Sequence, residues 1–367
     1  MQVIFNKAQK QLRKLYYLNF LSNISIAGAA WVALLVSRGF SLVEVGFAET
    51  VFHIVSIAAE IPSGMFADIC GRKKSLIVSA LCSIVSCFTM GYISSYAGVL
   101  ISIAFSALSY NFGSGTDSAL AYDTLKENGN VDGYDRYVSI QTIVYRVSSS
   151  LSSLGAGLAL LMGNRNAQLL GVLLSIIRLI LTMTLFENKV VQKKKHLSYS
   201  QRLKEVVKES TSFLLTNRKA AGLIFANGLV GAFDVLLLFF LQSEFRDAGA
   251  GDLLLGFLLF ITYSGGILGA VVASGSGKRS VFLKLFFICL TLVLTGVGFS
   301  FTGVLWIMTL GGFLSSFGDD LLQIRADVKL NSMIPEASRA TLISVNSLCF
   351  SLIMIVLSPL AGFIFSL

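Results

Sequence analysis

The sequence predicts an all-α, polytopic membrane protein, and three observations carry that prediction. Apolar runs of about 20 residues, each long enough to cross roughly 30 Å of hydrocarbon, recur along the whole 367-residue chain. Charged residues make up 13% of the chain against 54% hydrophobic, with a mean hydropathy of +0.76, whereas soluble domains carry about a quarter charged residues. The cations are also sorted. Of the 29 Lys and Arg, about 24 fall in connections on one side of the spans, while Arg38, Arg165 and Arg246 fall on the other. That bias makes the basic side, and the N-terminus with it, cytoplasmic. It also assigns the net charge of +9 to topology rather than to nucleic-acid binding.

Taken in order, the first span covers about 15–36. Lys7, Lys10, Arg13 and Lys14 precede it, as in a leader, but the run is too long for one and reads as an uncleaved helix. The second covers 44–65 and is followed by a short basic connection ending in Arg72-Lys73-Lys74, in which Gly64 and Gly71 permit turns. Spans at 75–94 and 97–121 form a hairpin, and spans at 137–162 and 167–186 complete a first bundle over 1–186. Residues 187–218 form the longest polar stretch. Leu203, Val206 and Val207 recur there at helical spacing, so it reads as an amphipathic cytoplasmic linker lying on the membrane surface. The second bundle, 219–367, holds spans at 219–242, 253–273, 280–299, 302–323 and about 340–364. The total is about eleven. The connection Gly275-Ser-Gly-Lys-Arg279 after the eighth span repeats the basic connection after the second, without its aspartate. Such internal repetition marks transporters.

The residues exclude most catalytic chemistry. There are two histidines, His53 and His196, no phosphate-binding glycine loop, no dinucleotide fingerprint and no metal-spaced cluster, so neither an enzyme nor a cofactor is expected. The five cysteines carry no metal or redox spacing and read as small packing residues. What stands out is polar and ionisable residues inside spans, which are costly in lipid and functional by default. Glu49, His53 and Glu60 share one face of the second span; they suit either a proton site or a structural pairing. Arg146 lies mid-span and calls for a carboxylate partner, with Glu60 or Asp117 in view. Asn227 and Asp234 lie seven apart on one face of the seventh span, and Asn19 and Asn23 one turn apart on the first. Glu60, His53, Arg146, Asp234, Asn23 and Asn227 are the candidates for coupling or for a substrate cavity.

The stretch Gly64-Met-Phe-Ala-Asp68-Ile-Cys-Gly71-Arg72-Lys73-Lys74 resembles the signature loop of the major facilitator superfamily, in both residues and location. Glu60-Ile-Pro62, the weakened copy at Gly277-Lys-Arg279, and Ile334-Pro335 ahead of Arg339 are similar to that superfamily too. The resemblance covers essentially the whole chain. It implies two bundles around a central cavity that opens to alternate sides. It further implies that Gly64, Asp68, Gly71, Arg72 and Lys73 form a conformational latch at the cytoplasmic junction, with Asp117 as a partner for Arg72. Family members carry twelve spans, so helix 12 is expected to be missing here. The arginine motif in the fourth span and the Gly-Pro motif in the fifth, common in proton-driven drug exporters, are absent.

These readings together predict a monomeric secondary transporter in the plasma membrane, moving a small molecule by alternating access with a proton as coupling ion, and leaning to efflux. The competing expectation is a non-transporting sensor or partner protein, or a truncated inactive carrier, on the same scaffold.

Overall fold

A computed structural model of the chain describes residues 2–130, 132–187, 199–275, 282–333 and 339–367. The described residues form helices α1 (Gln2–Asn23), α2 (Ile26–Ala29), α3 (Trp31–Ser37), α4 (Leu42–Cys70), α5 (Arg72–Tyr92), α6 (Tyr96–Gly113), α7 (Thr116–Glu127) and α8 (Gly133–Met183), followed by α9 (Tyr199–Thr216), α10 (Arg218–Asp247), α11 (Asp252–Gly275), α12 (Phe282–Ser300), α13 (Leu305–Met333) and α14 (Arg339–Ile364). Eight of the described helices are long and apolar enough to cross a membrane.

Several boundaries differ from the sequence reading. The first span begins at Gln2 and is broken at Ile24–Ser25 and again at Ala30. The basic connection is not a loop. Residues 60–70 continue α4, and Gly71 alone separates it from α5. Gly64 is helical, whereas Gly71 takes φ +106°, a conformation that L side chains rarely adopt. The polar residues that suggested a loop satisfy one another along the helices, because Asp68 and Arg72 stand four apart. The fourth span is divided at Ser114–Gly115 into α6 and α7. α8 runs 51 residues, about two and a half times a bilayer's hydrocarbon thickness at 1.5 Å per residue. Gly163 (φ 74°, ψ 160°) breaks it where the sequence places the turn between the fifth and sixth spans. α13 continues to Met333, so residues 324–333, read as loop, are helical. Lys193–Lys195, His196, Gly277–Arg279, Pro335 and the side chains of Leu203, Val206 and Val207 lie outside the described residues.

The chain divides into two compact units: Met1–Ala29, Ile54–Ser152 and Met162–Leu197 form the first, and Ala30–His53, Ser153–Leu161 and Ser198–Leu367 the second.

In unit 1, serines join α5 to α6 through reciprocal bonds. Ser79 Oγ donates to the Ser109 carbonyl (2.6 Å) and Ser109 Oγ to the Ser79 carbonyl (2.9 Å). One turn-pair further along, Ser86 and Ser102 do the same at 2.9 and 2.8 Å. Small hydroxyls let the backbones approach while satisfying carbonyl acceptors that lipid cannot. The basic end holds a core of Leu15, Leu18, Leu76, Leu120, Leu125, Tyr137 and Leu185, and Tyr16 stacks on Tyr137 at 5.1 Å.

Unit 2 is built on glycine contacts. A Cβ on Gly296 would stand 2.6 Å from the Gly311 carbonyl, and Gly265 and Gly269 of α11 lie against the Phe313 and Phe317 carbonyls of α13. Three segments from early in the chain join this unit. α3 is held by α10: Gln242 Oε1 accepts from both Val32 N and Ala33 N (3.2 Å each), and Arg246 donates to the Ala33 carbonyl (3.3 Å). The break before α3 leaves those amides without helical partners, and a buried glutamine supplies one. The start of α4 meets α14, with Gly46 against the Ser358 carbonyl and Gly362 against that of Leu42. Residues 153–161 of α8 meet α11, where Gly157 and Gly256 leave no room for a Cβ.

Candidate functional site

The signature residues sit at the α4–α5 joint in unit 1. Arg72 Nη2 lies 3.3 Å from Asp68 Oδ1 and its Nε 3.9 Å from Asp123 Oδ2. Glu187, just past α8, grips the same joint from outside both helices. Its two oxygens accept from Arg72 N and Lys73 N at 2.9 Å each, across the positive end of α5. A Cβ on Gly71 would lie 2.7 Å from that carboxylate. Asp117 does not reach Arg72. It accepts from Gln141 Nε2 and from Ser118 N (2.8 Å) at the start of α7. Burial pushes the nearby Tyr134 phenol above its ordinary value, and the Asp117 carboxylate adds to the push. Asp123 and Glu187 are partners that the sequence reading missed. Asp123 was legible only as a charge at a helix end, and the bonds of Glu187 are to backbone 114 or more positions away.

The span candidates fall in two places. In unit 2, Asp234 is 5% exposed, and its Oδ1 accepts from Ser315 Oγ (2.6 Å) and Ser316 Oγ (3.3 Å) of α13. No cation lies within ion-pair reach of it among the described residues. Asn227, two turns earlier on α10, is buried with its Oδ1 unpartnered. His53 lies 3.2 Å from Glu49 through Nε2, while its Nδ1 stands 3.1 Å from Ser351 Oγ on α14. Thus two members of the predicted stripe pair, and Glu60 belongs to unit 1 instead. In unit 1, Arg146 stacks its guanidinium 5.8 Å from the Tyr145 ring. Asn23 bonds back to the Asn19 carbonyl (2.8 Å), and its own carbonyl accepts from Ser152. Asn23 and Asp117 also line a cavity of about 420 Å³ formed by α1, α5, α6, the start of α7 and the second part of α8.

No curated protein matches the chain by sequence. Solved structures do match in fold. A variant of the nucleoside transporter NupG superposes with a TM-score of 0.78 at 15% identity, covering 97% of this chain and 96% of that one. A D-xylose-proton symporter gives 0.65 at 15% identity, over 98% and 88%. A bacterial homologue of the human lysosomal transporter Spinster, inward-facing and occupied, gives 0.66 at 16%, over 95% and 79%. The model of the Major Facilitator Superfamily matches residues 15–359, a range that takes in the α4–α5 joint, the buried Asp234 and every span between them, and the chain belongs to that superfamily.

Proposed function

We propose that the chain is a secondary transporter that carries a small molecule across the plasma membrane by alternating access, coupled to protons through Asp234. Family membership supports carriage. The observation that carries the coupling is Asp234 itself, a buried carboxylate on a membrane-spanning helix whose partners are two serine hydroxyls. An ionised carboxylate so placed is costly without a counter-charge, and taking up a proton removes the cost. The moving parts on this reading are the bundles 1–186 and 219–367, joined by 187–218. Eleven spans follow if α8 crosses twice, divided at Gly163, and if α1–α3 and α13 each cross once.

The packing of α3, the start of α4 and residues 153–161 against α10, α14 and α11 supports a closed outer side. Asp68, Arg72 and Asp123, with Glu187 behind them, form the inner latch in this account. The basic joint faces the cytoplasm, and the direction of carriage is export.

The test is transport by protein reconstituted in liposomes under an imposed pH gradient. Nucleosides and pentoses head the panel because two of the structural neighbours are a nucleoside transporter and a D-xylose-proton symporter; dyes and antibiotics follow. Gradient-driven movement of one compound is expected, with coupling lost in Asp234→Asn. No movement of any compound would contradict carriage, and gradient-driven movement unchanged in Asp234→Asn would contradict its role.

A further inference from the structure

We infer that the cavity inside unit 1 binds a small monocarboxylate bearing hydroxyl or amino donors, with Arg178 holding its carboxylate. The inference concerns equilibrium binding and stands whether or not the chain completes a transport cycle. At about 420 Å³ the cavity falls within the range of small-molecule pockets, about 300–1,000 Å³.

Two groups on its wall define the ligand. Arg178 lies on an apolar, membrane-spanning part of α8, where among the described residues its guanidinium donates to a neutral acceptor, Ser79 Oγ, and Asp117 of the same cavity wall acts on it electrostatically without coming within ion-pair distance. A guanidinium has five donors in a planar fork that matches a carboxylate, and in a membrane span it requires such compensation. Asp117 is the second. Its carboxylate faces Gln141 and Ser118, and it puts one negative charge beside the one positive charge of Arg178. A dianion such as a phosphate ester would meet that charge unfavourably. A monocarboxylate with its own donors satisfies both groups.

The test uses the full chain in lipid nanodiscs with Cys82, Cys70, Cys289 and Cys349 replaced by Ser, leaving Cys87, which lines the cavity, as the reporter. Glycine, L-serine and L-lactate are the carboxylate probes, glycerol the neutral donor, and inorganic phosphate the competing anion. At least one carboxylate is expected to slow modification of Cys87 by a small thiosulfonate and to bind saturably by calorimetry. Arg178→Gln should weaken that binding about tenfold or more, the scale of a lost charge-assisted hydrogen bond, with Arg178→Lys intermediate. If Arg178→Gln fails to fold, protection of Cys87 in the parent protein decides the matter. Protection by no carboxylate, protection by glycerol or phosphate alone, or equal binding in Arg178→Gln would each overturn the inference.

Discussion

Glu187 and Gly71 depend on each other at the α4–α5 joint. The carboxylate caps two amides at the start of α5, and the glycine supplies both the positive φ and the space for it. Glu187→Gln is expected to cost about 1 kcal/mol, the scale of a lost helix cap, read as a lower melting temperature. Gly71→Ala should cost more, roughly 1–2 kcal/mol for the left-handed backbone plus displacement of Glu187. Equal melting temperatures for both variants and the parent would contradict this account of the joint. At this scale the sequence was informative about residues that are out of place in lipid. Asp234, Asn227 and His53 are conspicuous in apolar runs, and all three are buried. Their partners were not legible, because Ser315 and Ser351 are ordinary serines until a helix far along the chain is placed beside them. Arg178 and Asn19 were visible as polar span residues, but only the fold puts them on one cavity wall.

At the scale of elements, apolar periodicity located the spans and mislocated their ends. Residues 60–70 and 324–333 look like connections because they carry charge and glycine, yet both continue helices. A helix can project beyond the hydrocarbon, and side-chain charge does not end it while i,i+4 partners are at hand. The packing code was less visible still. Serines at 79, 86, 102 and 109 match only when α5 and α6 are laid antiparallel. Ser86→Ala should destabilise by about 0.6 kcal/mol, the mean for interhelical hydrogen bonds in membranes, as measured by unfolding in detergent. The glycine contact between α8 and α11 makes a sharper prediction. A side chain at Gly256 meets Gly157 N at 2.7 Å and the Leu154 carbonyl at 2.9 Å, both backbone atoms. Gly256→Leu must therefore separate the two helices. Spin labels beside Gly163 in α8 and at the start of α11 should report a longer distance in that variant, and an unchanged distance would refute the close-contact role.

For the whole molecule, the signature residues and the recurrence of spans carried the superfamily assignment from sequence alone, and the family match over 15–359 agrees with it. Substrate and direction were not legible, since the recognisable residues lie at a joint rather than on a cavity wall. The central claim is that the joint controls which side opens: the latch of Asp68 and Arg72 favours the outward-open state, so its loss should leave the outer contacts of α4 closed. Ala48 is fully buried on the first part of α4, the outer part under the proposed topology. The most direct measurement places Ala48→Cys in a background lacking the five native cysteines and follows its modification by an impermeant maleimide added outside. Adding Asp68→Asn or Arg72→Gln should slow that modification about fivefold or more, a shift of ~1 kcal/mol in the two-state equilibrium, with melting temperature little changed. Modification at the same rate with and without the latch charges would contradict the account.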